Sequence, residues 1–162
     1  MSRLDIFLGF LREYFRGSTG RSEYREMFIC RGDPATAKVK DRGVLWVHAL
    51  DTYLTTFIRS LKMLREWNIY MGIGFLGEPS LSSLSVEKML YDRISLDFDY
   101  EEDPDTAVSR SLEFGRYLND RYGVTPIVFE SGFKGGHVVI PLSKPVNWEV
   151  YQLMWRKLYS EI

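Results

Sequence analysis

From Ile94 to Asp99 the chain reads "ISLDFD", apolar and polar by turns. A strand shows alternate faces with period two. Ile94, Leu96 and Phe98 therefore share one face, and Asp97 and Asp99 share the other. The pattern predicts a strand over 93–100. A helix is predicted from about Pro104 to Tyr122, with Asp103 as its cap, Pro104 at its first position and Gly123 at its end. "TPIVFES" predicts a strand, "GFKGG" a turn and "HVVIPL" a strand. "SKP" breaks the chain, and a helix with Val150, Leu153, Met154, Lys157 and Leu158 at helical spacing runs to the end. The order β-α-β-β-α is that of a split βαβ, ferredoxin-like sheet, which needs one more strand. The chain stops where that strand should begin.

Earlier in the chain, Ser2 and Asp5 make an S-x-x-D start, and Leu4, Leu8, Leu11 and Phe15 recur at helical spacing up to Gly17. "EYREMFIC" (23–30), "VLWVHA" (44–49) and "IYMGIGFLG" (69–77) read as strands. Between the last two, Asp51 can cap a helix over 51–67 that carries Leu54, Phe57, Ile58, Leu61 and Leu64 on a 3.6 period. "EPSLSSLS" (78–85) reads as a loop, with a short helix starting near Ser85. The mixture of elements is α+β.

Composition narrows the class. The chain has 162 residues, 45% hydrophobic and 15% aromatic. That is enough for one domain with a real core and argues against disorder. Cys30 is the one cysteine, so there is no disulfide framework and no cysteine-based zinc site. This fits a reducing, intracellular compartment. "MSRLDIFLGFLREYF" carries charge too early and too often for a signal peptide. No apolar run reaches the roughly 18 residues of a membrane span, so no membrane is expected.

The net charge of −1 gives no global case for nucleic acid. Its distribution is less even. Residues 1–67 hold 12 Lys/Arg against 8 Asp/Glu, and residues 68–162 hold 9 against 14. An acidic site beside a basic half suits a metal next to a polyanion track, and ordinary surface scatter gives the same split.

Two stretches carry candidate chemistry. Paired carboxylates on one strand, Asp97 and Asp99, can hold Mg²⁺ or Mn²⁺, which prefer oxygen ligands. An isolated D-x-D also fits a polar sheet face that runs into a solvated acidic stretch, here Glu101 to Asp105. In "ESGFKGGHVVIPL" (130–142), glycines between two strands allow a tight turn and close backbone approach. Backbone N–H groups in such a turn can cradle phosphate, with Ser131 and Lys134 adding a hydroxyl and a positive charge and His137 starting the next strand. The plain alternative is a hairpin with a surface lysine and a satisfied histidine. In a split βαβ sheet of order 4-1-3-2, the strand of Asp97 and Asp99 lies beside that of His137.

With that pairing the sequence resembles the archaeo-eukaryotic primase superfamily. Its pattern is an hhhDhD strand, a helix, an S-G-x-x-G-x-H hairpin and later an h-D strand. "ISLDFD" matches the first element and "SGFKGGH" the hairpin, about 30 residues apart. The ordered match covers about 94–142. The resemblance implies a two-module primase-polymerase fold: an N-terminal α/β module over about 1–90 and an RRM-like split βαβ module over about 91–162, lacking its last strand. It implies metal ligation by Asp97 and Asp99 and a catalytic part for His137. It assigns the triphosphate of an incoming NTP or dNTP to Ser131, Gly132, Lys134 and His137. It also implies Mg²⁺ or Mn²⁺, a DNA template, a large primase subunit or helicase as partner, and a cytoplasmic (nucleoid) or nuclear setting in replication or repair.

The sequence departs from the pattern twice. Phe133 stands where some replicative primases carry a basic residue, and beyond His137 the acidic residues are Glu149 and Glu161, neither after a hydrophobic strand. The expected activity is template-directed nucleotidyl transfer. A rival is a catalytically incomplete nucleic-acid-binding or accessory subunit, favoured by the missing third carboxylate. A metal-dependent nuclease would use the same carboxylates but needs no triphosphate cradle. His48 reads as a packed core histidine, Arg21 and Arg25 as a solvated face, the four tryptophans as packing and Cys30 as a small hydrophobe.

Overall fold

The computed structural model describes Ile6, Gly9 and Lys38 together with residues 24–31, 42–48, 67–76, 86–100, 103–130 and 135–162. The chain is α+β and divides into two compact units, Met1–Leu90 and Tyr91–Ile162.

In the first unit, β1 (Tyr24–Arg31) runs antiparallel to both β2 (Arg42–His48) and β3 (Trp67–Leu76), with β1 in the middle. The three strands fall where the apolar runs predict them. Cys30 is fully buried, as a small hydrophobe should be. Arg25 does not sit on a solvated face: it is fully buried, its Nη1 donates to the carbonyl of Ile73 at 2.9 Å, and its guanidinium lies 5.2 Å from the Phe75 ring centroid. A planar cation over an aromatic face with a carbonyl acceptor explains why burial is tolerated there. Ile6 and Gly9 are helical, as the N-terminal periodicity expects. The helix expected over 51–67 falls almost wholly outside the described residues, as do Arg21 and the side chains of Trp46, His48 and Trp67. A 3-10 turn at Val86–Lys88 stands near the short helix expected after Ser85.

The second unit runs β4 (Leu90–Asp99), α1 (Pro104–Tyr122), β5 (Ile127–Glu130), β6 (Gly135–Val146) and α2 (Trp148–Tyr159). β6 is central and antiparallel to β4 and to β5. This is the order a split βαβ sheet gives its first three strands.

α1 starts and stops where its sequence dictates. The Asp103 carboxylate accepts from Thr106 N at 3.2 Å, Pro104 opens the first turn, and Gly123 ends the helix at φ 65°. Its buried residues Ala107, Ser111, Phe114, Gly115 and Leu118 recur at helical spacing. Three of them are small, so the helix packs close. A Cβ on Gly115 would come within 2.7 Å of Val128 Cγ2. Phe114 stands 5.7 Å from Phe98, centroid to centroid. Ile94 and Leu96 are 1% and 3% exposed, whereas Asp97 and Asp99 are exposed, as the alternation predicts. Burying each such aliphatic side chain is worth roughly 1.5–3 kcal/mol.

Two expectations need correcting. β6 does not stop at "SKP": it continues through Ser143, Lys144 and Pro145 to Val146, which pairs with Tyr91. β4 correspondingly begins at Leu90, three residues before the expected start. On α2, the periodic residues Val150 and Leu153 face solvent. These residues are 42% and 67% exposed, while Tyr151 is buried, stacked on Tyr91 at 4.5 Å and beside Trp148 at 5.6 Å. Aromatic stacking outweighs the aliphatic stripe in choosing the face.

Candidate functional site

The site is assembled by strand register. Asp97 pairs with His137 across β4 and β6, and His137 pairs with Phe129 across β6 and β5. Residues directly opposite in an antiparallel ladder project to the same face. Asp97, His137 and Phe129 therefore form a row across three strands, and Asp99 joins their face two residues along. His137 Nδ1 lies 3.3 Å from Asp97 Oδ1, with the imidazole 28% and the carboxylate 56% exposed. The Phe129 ring backs the imidazole, centroids 5.1 Å apart and planes 31° from parallel.

Burial pushes the Asp97 carboxyl above its ordinary value; His137 pulls it down and the neighbouring Asp99 charge pushes it up. A cation between the two carboxylates would relieve that repulsion. Among the described residues no group of three or more His, Cys, Asp or Glu could hold a metal ion by itself. Two carboxylates on one face nonetheless suit an ion of the Mg²⁺ kind, which keeps several waters and completes its shell with substrate phosphates. Glu161 does not add a third ligand here. Its Oε2 accepts from the Tyr117 hydroxyl at 2.8 Å, and its Oε1 and Oε2 accept from the Tyr122 hydroxyl, both at 2.7 Å.

Of the phosphate-cradle residues, Ser131, Gly132 and Lys134 lie outside the described residues, as does Phe133. Gly135 and Gly136 have a packing requirement of their own. A Cβ on Gly135 would fall 1.8 Å from the Phe98 carbonyl oxygen, and one on Gly136 would fall 2.2 Å from Ser111 Oγ. These two glycines thus bring β6 close to β4 and α1, whatever the hairpin binds.

Sequence reasoning missed Phe129. Its signal was the hairpin register, since the pairing that sets Glu130 opposite Gly136 also sets Phe129 opposite His137. It also missed the buried pair Asp92–Arg93 on β4, which no periodicity marks.

No family model, no curated protein and no solved structure matches the chain. No helix among the described residues is long and apolar enough to cross a membrane.

Proposed function

We propose that the protein is a metal-dependent nucleotidyltransferase of the primase-polymerase kind, acting on NTPs or dNTPs under the direction of a DNA template. One observation carries the reading: the 3.3 Å approach of His137 Nδ1 to Asp97 Oδ1 on the face shared with Asp99. Two carboxylates and the histidine that closes an S-G-x-x-G-x-H hairpin are what such a site needs within reach of one triphosphate.

Asp97 and Asp99 are the residues that would hold Mg²⁺ or Mn²⁺. The bound ion supplies charge neutralisation at the reacting phosphate oxygens. His137, with Lys134 and Ser131 from the hairpin, would bind the triphosphate and hold its α-phosphorus toward the primer end. The 3′ hydroxyl gives its proton to water as its oxygen attacks that phosphorus, the bond to the oxygen bridging toward the β-phosphorus breaks, and pyrophosphate leaves with the electron pair. Phe129 behind the imidazole would limit how far His137 swings.

A second reading, an accessory nucleotide- or nucleic-acid-binding subunit, is favoured by the lack of a third carboxylate in a metal-binding group among the described residues. The two separate in one assay: primer extension and de novo synthesis with labelled nucleotides and Mg²⁺ or Mn²⁺, run beside nucleotide-binding measurements. Product that disappears in Asp97→Asn supports the enzyme. Binding without product supports the accessory subunit. Neither binding nor product overturns both.

A further inference from the structure

Asp97 Oδ1 has a close neighbour, the imidazole of His137 at 3.3 Å. An ion of the Mg²⁺ type sits about 2.0–2.1 Å from a carboxylate oxygen. An imidazole nitrogen this close to the oxygen occupies the approach a cation would use and, when protonated, offsets the charge that would attract it. We infer that His137 competes with the divalent cation for Asp97 in the nucleotide-free protein, and that a bound triphosphate draws His137 away and opens Asp97 to the metal. This rests on the nucleotidyltransferase reading and adds an order to it: the nucleotide prepares the metal site.

Three features support the competition. The pairing Asp97↔His137 is fixed by backbone register, so the imidazole cannot leave by sliding along the strand. Phe129, opposite His137 on the other flank, leans against the imidazole on the side away from Asp97 and favours the closed arrangement. The imidazole is 28% exposed and Asp97 56%, so a phosphate approaching from solvent can reach both. By reciprocity, whatever the triphosphate does for metal affinity the metal does for triphosphate affinity.

The distinctive consequence is one of sign. A residue that merely helps to bind metal weakens it when removed, whereas a competitor strengthens it. The test is Mn²⁺ binding, by calorimetry and electron paramagnetic resonance, to the full chain and to His137→Ala, His137→Gln and Asp97→Asn, each checked for folding by circular dichroism. Exposed charge pairs are weak, so nucleotide-free His137→Ala and His137→Gln should bind Mn²⁺ about 1.5- to 5-fold more tightly than the parent. An α,β-imido nucleoside triphosphate, which cannot release pyrophosphate, should tighten Mn²⁺ binding in the parent. That enhancement should shrink in His137→Ala by the same factor. Equal or weaker Mn²⁺ binding in both His137 variants overturns the competition while leaving the metal site standing. Undiminished Mn²⁺ binding in Asp97→Asn overturns the metal site and the competition with it.

Discussion

Asp97 stands two residues before Asp99 on one face of β4, and its carboxyl is held above the ordinary range by burial first, with His137 opposing and Asp99 adding. A carboxyl whose folded pKa is raised favours the fold while it is protonated, and that contribution fades as pH rises through the folded value. Ionised Asp97 is therefore a small liability at neutral pH. Asp97→Asn should leave the fold as stable as the parent or more stable by less than about 1 kcal/mol, while abolishing metal-dependent transfer. The stability gap should close near about pH 3, where the parent carboxyl is also neutral. Thermal melts at both pH values beside primer extension check this. A variant several degrees less stable at neutral pH would contradict it.

Gly135 and Gly136 differ in what an added methyl would strike. At Gly135 it meets the Phe98 carbonyl, which is backbone; at Gly136 it meets the Ser111 side chain. Side chains give way more readily than backbone. Gly136→Ala should cost about 1–3 kcal/mol, the usual range for overpacking, and Gly135→Ala more. Urea unfolding of both variants orders them. Equal, negligible costs would show that neither contact constrains β6.

The second unit was largely legible in the sequence because its signals are local. Asp103, Pro104 and Gly123 bound α1 through cap chemistry, and the alternation of "ISLDFD" sets the faces of β4 before any neighbour is known. What escaped depends on partners. The continuation of β6 through Pro145 follows from its pairing with the start of β4. The packed side of α2 follows from Tyr91, which is distant in sequence. Burial of Arg25 follows from Ile73 and Phe75 on another strand. For the candidate site, strand order in a split βαβ sheet was enough to put Asp97 and Asp99 on a strand beside that of His137, but that Asp97 and His137 stand directly opposite depends on register. Phe129 needed the turn length as well.

Glu161 ties the end of the chain to α1 through the hydroxyls of Tyr117 and Tyr122. The hydroxyl of Tyr122, then that of Tyr117, holds the Glu161 carboxyl below its ordinary value. The bond to Glu161 pushes Tyr117 up to about 12. A depressed carboxylate stabilises above its unfolded pKa and loses that contribution as pH falls through the folded value. The raised tyrosine stabilises below its unfolded value of about 10 and loses that contribution as pH rises through the folded one. Glu161→Gln should therefore flatten the parent's stability profile at its acid edge, and Tyr117→Phe at its alkaline edge. Denaturation profiles across pH, parent against variant, show it. Superimposable profiles would mean that the three groups do not hold the terminus.

The register of β4 against β6 slips between Tyr91 and Arg93. The extra residues lie on β6, where Pro141 to Val146 spans the stretch opposite Arg93 to Tyr91, and Asp92 and Arg93 lie on the β4 side of the irregularity. Arg93 Nε then donates to Asp92 Oδ1 at 2.8 Å and Nη2 to Oδ2 at 3.2 Å, with the side chains 5% and 0% exposed. A bidentate pair of this kind is worth little over a well-packed apolar substitute, but losing one member takes a close partner from a buried charge. Asp92→Ala should accordingly cost about 3–5 kcal/mol. Replacing both residues together, Asp92→Leu with Arg93→Met, should cost much less than the sum of the single changes. Asp92 and Arg93 stand on the same strand as Asp97 and Asp99, so the single variant should lower Mn²⁺ affinity while the double variant restores part of it. A double-mutant cycle read by chemical unfolding and by Mn²⁺ titration measures both effects. Additive losses in stability would show that the two side chains do not depend on each other, and unchanged Mn²⁺ affinity in Asp92→Ala would show that Asp97 and Asp99 are held without the pair.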